Sequence, residues 1–178
     1  MSKKIGIFID ISNLYYSVRN KYGNRKLDYK KFYDFIGNKE SGVGEVTLAT
    51  AYGAQLNEEA KPFINCLRAI GFQPKYKQIK VYNNSGHVKS KGNCDIDIVV
   101  DVVKAIANLD VVVLGSADSD FLPLVKWVQD QGKSVIIIAC GISKELRENC
   151  IQTIEIPESM IEMPKGSIDE VPTVQPGN

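Results

Sequence analysis

Histidine is nearly absent: His87 is the only one in 178 residues. Ser-His-Asp or Cys-His catalysis would rest on it alone, and it lies in the polar stretch NNSGHVKSKGN, a poor setting for an oriented base. Cys66, Cys94, Cys140 and Cys150 form no CxxC pair, which argues against zinc and for reduced thiols in a cytoplasmic protein. No apolar stretch approaches the roughly 20 residues that span a bilayer. Met1-Ser2-Lys3-Lys4 runs straight into a strand-like segment with no small-residue cleavage site, so a secretory signal is not expected. There is no GxxxxGKS or GxxxxGKT phosphate loop, and no GxGxxG follows the first strand. Charge of one sign is lacking too. The net charge is +1, so its distribution matters more than its sum.

What is present suits one α/β domain. Continuous apolar runs read as buried parallel strands, and segments with helical spacing alternate with them. Strands are expected over 4–10, 45–52, 73–82 (one or two pieces), 110–115, 134–139 and 152–156. Helices are expected over 14–22, 28–37, 57–70, 94–108, 119–131 and 143–149, with Ser12 or Asn13, Asp28, Asn57 and Asn93 as caps. Residues 83–93 read as a polar loop. The alternation predicts a three-layer, doubly wound parallel sheet with right-handed crossovers. The domain is expected over 1–157. Residues 158–178 read as a flexible acidic tail with Pro164, Pro172 and Pro176.

Acids sit at the ends of the apolar runs. Ile5–Ile9 stops at Asp10, and Val111–Leu114 stops just before Ser116-Ala117-Asp118-Ser119-Asp120. Asp95, Asp97 and Asp101 open the segment between them. Ligands of open α/β sheets bind outside the carboxyl ends of strands, where strand order reverses. Carboxylates that converge there repel one another unless a hard cation sits among them, which points to Mg²⁺ or Mn²⁺ and to phosphoryl chemistry. Asn13 stands where it can bond Asp10, a water or a phosphate. Ser116 and Ser119 make the second loop compact enough to bring N–H groups near an anion. Each acid also has a bland account. Asp10 and Asp118 could be caps, Asp120 could cap a helix at Phe121, and Asp95 could answer a helix dipole. Ile96, Ile98, Val99, Val100, Val102 and Val103 imply a helix buried on most sides, where acids need partners. The Asp-x-Asp of haloacid dehalogenase phosphotransferases fails at Ser12, and the Asp-x-Ser-x-Ser of adhesion-type metal sites fails at Leu14.

Three blocks in order resemble the NYN domain, the LabA-like branch of the PIN-like nucleases. They are Phe8-Ile9-Asp10-Ile11-Ser12-Asn13-Leu14, Lys91-Gly92-Asn93-Cys94-Asp95-Ile96-Asp97-Ile98 and Leu114-Gly115-Ser116-Ala117-Asp118-Ser119-Asp120-Phe121-Leu122-Pro123-Leu124. The resemblance runs from about residue 3 to 156. It implies a five- or six-stranded parallel sheet with the first and fourth strands adjacent. It also implies Mg²⁺- or Mn²⁺-dependent cleavage of RNA, with Asp10, Asp95, Asp118 and Asp120 as metal-binding, catalytic acids. Asp97 and the more variable Asp101 are secondary positions, and Asn13 matches the family's asparagine. Ala117 stands where the family usually has glycine, and no clear acid in 57–70 matches a PIN-like glutamate, although Glu58 and Glu59 begin that segment.

A polyanionic substrate suits the charge distribution. No acid lies between Glu59 and Asp95, but Lys61, Arg68, Lys75, Lys77, Lys80, Lys89 and Lys91 do. Lys89 and Lys91 beside the acids, and Tyr15 or Tyr16 as stacking rings, are the leading substrate contacts. The partner is expected to be single-stranded or structured RNA, preferred over DNA on the resemblance alone. The resemblance also suggests a homodimer. The alternatives are a non-catalytic RNA- or nucleotide-binding adaptor and a small-molecule phosphatase using the same acids.

Overall fold

Ile5, Ile7, Phe8 and Ile9 are completely buried, and the 111–115 run is buried throughout. Strands covered on both faces need helices on both sides, and the computed structural model has that architecture. It describes residues 2–37, 44–55, 60–78, 80–84, 87–91 and 94–162, with backbone alone at 54–55, 78, 80–84 and 87–91. The strands are β1 (Lys4–Asp10), β2 (Glu45–Gln55), β3 (Gln73–Gln78), β4 (Lys80–Asn84), β5 (His87–Lys91), β6 (Val111–Gly115), β7 (Ser134–Ala139) and β8 (Gln152–Glu155). The helices are α1 (Ile11–Tyr22), α2 (Tyr29–Gly37), α3 (Lys61–Ile70), α4 (Asp95–Ala105), α5 (Leu122–Asp130) and α6 (Lys144–Asn149).

Six strands form one parallel sheet in the order β3-β2-β1-β6-β7-β8. From β1 the chain winds outward to β2 and β3, then returns through α4 to β6 and winds the other way. Strand order therefore reverses between β1 and β6. Right-handed crossovers put α1, α2 and α3 on one face and α4, α5 and α6 on the other. Packing agrees: α2 meets α3, α4 lies against β1, and α5 meets β7 and α6. No described helix is long and apolar enough to cross a membrane.

Four local expectations change. Residues 80–91 form an antiparallel hairpin, β4 with β5, where a loop was expected from 83. Its register runs from Lys80 opposite Lys91 to Asn84 opposite His87. Helix α4 is buried along Ile98 and Val102 only, while Ile96, Val100 and Val103 are exposed. One face meets the sheet and a second apolar stripe faces out, so the six apolar residues did not imply burial all round. α1 begins at Ile11, three residues early. Finally, the body continues past 157: Met160 and Ile161 are buried, Ile161 bridges to Leu27, and Asp28 N–H donates to the Met160 carbonyl at 2.8 Å. Residues 163–178 of the expected tail, and the expected caps Asn57 and Asn93, lie outside the described residues.

Candidate active site at the switch between β1 and β6

Asp10 ends β1, and α1 starts at the next residue. Its Oδ1 accepts the Asn13 N–H at 3.0 Å, so Asp10 caps α1 in place of Ser12 or Asn13. Ile9 pairs with Gly115, and the two strands leave the sheet side by side. A side chain at Gly115 would place Cβ 2.6 Å from Ile9 Cγ2, so glycine allows this close approach. Beyond the strands the link is made by side chains. Asn13 Oδ1 accepts the Ala117 N–H at 2.9 Å. Ser116 is fully buried and its Oγ accepts the Asp118 N–H at 3.2 Å. Ser116 thus braces the loop; it does not offer a surface to substrate. Asp118 Oδ1 accepts the Asp120 N–H at 2.9 Å and caps a 3₁₀ turn over Ser119–Phe121. Asp118, not Asp120, is therefore the cap. The Asp120 side chain is exposed.

The third acid arrives from the other side. Cys94 Sγ donates to the Gly53 carbonyl at 3.5 Å, and Gly53 follows Tyr52, which pairs with Asp10. This places the start of α4, and with it Asp95, by the carboxyl ends of β1 and β2. The Asp10 carboxyl is pushed above its ordinary value. Burial is the main cause, and the charges of Asp95 and Asp118 add to it, against N–H groups of Asn13 and Ser12 that hold it down. Acids from β1, α4 and the loop after β6 thus act on one another. Among the described residues, no group of three or more His, Cys, Asp or Glu side chains stands at metal-holding spacing. The like charges of Asp10, Asp95 and Asp118 repel, and hard oxygen donors of this kind are the type a divalent cation such as Mg²⁺ takes.

Asp97 and Asp101 are engaged by lysines of β3. Asp97 pairs with Lys77 at 2.5 Å. Asp101 Oδ2 accepts from Lys75 Nζ and from Tyr52 Oη, both at 2.6 Å. Burial pushes Asp101 up, but these bonds outweigh it and hold its carboxyl below the ordinary value. Expected as a ligand, Asp97 here joins β3 to α4.

A cleft of about 590 Å³ adjoins the acid loops. Asn13, Tyr16, Asn20 and Lys21 of α1 line one side, and Gly141 and Glu155 at the ends of β7 and β8 the other. Of the two tyrosines expected to stack, only Tyr16 lines this cleft. Tyr15 accepts from Arg19 Nη1 at 2.8 Å and meets Tyr16 edge-on at 5.3 Å. Lys89 and Lys91 lie on β5 opposite Tyr82 and Lys80. Ser17, Asn20, Lys21 and Glu155 were not singled out as site residues from sequence. The readable signal was the recurrence of polar residues at 13, 17 and 20 on α1.

The NYN domain pattern matches residues 4–157. The chain belongs to the NYN domain family. The chain is 24% identical over 161 residues to the low amplitude and bright protein LabA of Synechococcus elongatus, covering 86% of this chain and 83% of that one. It is 28% identical over 130 residues to an uncharacterized protein of Methanocaldococcus jannaschii, covering 70% of this chain but 48% of the relative. A crystal structure of a protein of unknown function from Vibrio parahaemolyticus superposes with a TM-score of 0.78 at 27% identity, covering 90% of this chain and 97% of that chain. NYN domains are nuclease-type domains of PIN-like fold, and the six-stranded sheet with its first and fourth strands adjacent is that fold.

Proposed function

We propose that this NYN domain is a ribonuclease that hydrolyses RNA phosphodiester bonds with Mg²⁺ or Mn²⁺ held by Asp10, Asp95 and Asp118. Asp120 stands at the rim, where it orients water or substrate. The observation that carries the reading is placement: β1 ends at Asp10 beside the loop of Asp118 at the sheet's switch point, and the start of α4 brings Asp95 there, where burial first and then the charges of Asp95 and Asp118 push the Asp10 carboxyl up. Such an arrangement costs stability unless a cation relieves it.

Bound there, a divalent ion would offset phosphate charge and raise the acidity of an attacking water. The chain's own residues do the positioning. Asp10 and Asp118 are each fixed through one oxygen by a backbone N–H, which sets their rotamers. Asn13 ties the two loops together, and Ser116 braces the second from within. Lysines flanking the start of α4 attract the polyanionic strand. The folded unit is proposed to run to residue 162, with cleavage in the cytoplasm.

The adaptor reading draws on one observation, that no described acid group stands at ligand spacing without an ion. One assay separates the readings: protein with Mn²⁺ or Mg²⁺, labelled RNA, single-stranded DNA and a phosphomonoester, beside Asp10→Asn and Asp118→Asn. RNA cut by the parent and spared by both variants supports the nuclease. Metal-independent RNA binding without cleavage supports the adaptor, and turnover of the monoester alone supports a phosphatase.

A further inference from the structure

Helix α4 carries Asp95 at its first residue and Asp101 six residues on. We propose that Asp101 is a positioning residue of the acid site: it holds Tyr52 of β2 and Lys75 of β3 on one carboxylate oxygen, fixes α4 on the sheet, and so sets Asp95 against Asp10. This rests on the reading of the acids as a divalent-metal site.

Asp10 is the register partner of Tyr52, and Tyr52 of Lys75, so the three stand in one row across β1, β2 and β3. Asp101 reaches that row from α4, and its Oδ2 accepts from Tyr52 Oη and from Lys75 Nζ, both at 2.6 Å. Tyr52 is completely buried, where a hydroxyl needs a partner. The Asp101 side chain is 18% exposed, so water screens its bonds little, whereas the Asp97–Lys77 pair lies half in water. Ile98 and Val102 also hold α4 to the sheet, but apolar packing has no direction and leaves the helix free to slide or turn. The two bonds at Asp101 have direction, and they remove that freedom. Six residues of helix span about 9 Å, a short lever between this anchor and Asp95. A carboxylate that shares an ion with others must keep its place within a fraction of an ångström, so a turn of α4 loosens the site without touching any acid in it.

The test is Mn²⁺ binding by the full chain, read from the paramagnetic resonance of free Mn²⁺ well below each protein's melting temperature, so that folded proteins are compared. Asp101→Ala should weaken binding about tenfold, the scale of a lost contact that orients a ligand. Loss of a negative charge alone would act in the same direction, and two further variants separate the accounts. Tyr52→Phe changes no charge and should still weaken Mn²⁺. Lys75→Met removes a positive charge, which alone would tighten Mn²⁺, yet should weaken it; this side chain is half exposed, so the core is spared. Asp101→Asn keeps an oxygen acceptor in place and should lie nearer the parent than Asp101→Ala. Parent-like affinity in Tyr52→Phe, or Mn²⁺ held as tightly or more tightly by Lys75→Met, overturns the proposal and leaves the acid site standing. A parent that binds no Mn²⁺ overturns both. Mn²⁺ binding that depends on Tyr52 and Lys75 in a protein that cuts no RNA keeps the positioning role and overturns the nuclease.

Discussion

Asn13 Oδ1 accepts the backbone N–H of Ala117 at 2.9 Å, across 104 residues of sequence. It is a side-chain rung laid just beyond the last backbone rungs between β1 and β6. Asn13→Ala removes the acceptor and leaves a part-buried N–H unsatisfied, at a cost of about 1–2 kcal/mol. The melting temperature should fall by about 2–4 °C per kcal/mol for a chain of this size. RNA cleavage should fall by more than that loss of folded protein explains, because the separation of Asp10 and Asp118 is no longer fixed. Calorimetry and cleavage on the same preparation check this, and an activity loss that only tracks unfolding would refute it.

Asp10→Asn should make the metal-free protein more stable while abolishing cleavage. Asparagine keeps the cap of α1, and the substitution removes the charge that burial, Asp95 and Asp118 all disfavour. A carboxyl raised in the folded state destabilises that state above its folded value and ceases to do so once protonated. The advantage of the variant should therefore be largest at neutral pH and shrink as pH falls through the Asp10 value. Added Mn²⁺ should raise the melting temperature of the parent and barely move that of the variant. A variant that melts lower than the parent in EDTA at neutral pH would contradict the electrostatic account.

The positions of Asp10 and Asp118 could be read from sequence because each closes an apolar run, and run length locates the carboxyl end of a buried strand. Their meeting could be read because alternating strands and helices force a switch point. What could not be read depends on distant partners. The Asn13–Ala117 bond joins loops brought together only by the β1–β6 register. Asp97 forms an ion pair with Lys77 of β3, a contact that sequence spacing cannot foretell. The exposed stripe of Ile96, Val100 and Val103 violates the rule that apolar residues are inside, a rule that runs one way only. The hairpin of β4 and β5 was hidden because its sequence is largely polar and shows no apolar alternation.

Asp97→Asn separates a ligand from an ion-pair partner. The Asp97–Lys77 pair is 43% and 44% exposed, so breaking it should cost well under about 1 kcal/mol. Cleavage should stay within a few-fold of the parent, against near-complete loss in Asp118→Asn. Equal loss in the two variants, measured at saturating Mn²⁺, would return Asp97 to the metal-binding set.

Glu155 organises the far wall of the cleft. Its Oε1 accepts the Ile142 N–H at 3.2 Å and a bond from Arg147, and its Oε2 accepts from Lys21 at 3.0 Å and from the Gly141 N–H at 3.2 Å. Burial pushes the carboxyl up, but the bonds from Lys21, Gly141 and Ile142 outweigh it and hold it below the ordinary 4.5. Stability from such a group is fully present above that ordinary value and is lost as pH falls through the lower folded value. Glu155→Gln leaves Lys21 and Arg147 without their shared counter-charge. At neutral pH it should lower the melting temperature. Against the parent, the stability gap should close in strongly acidic buffer, where Glu155 is protonated too. A gap that stays constant with pH, followed by thermal denaturation across the acid range, would show that the carboxylate's charge is not what holds β8 to α1 and the β7–α6 turn.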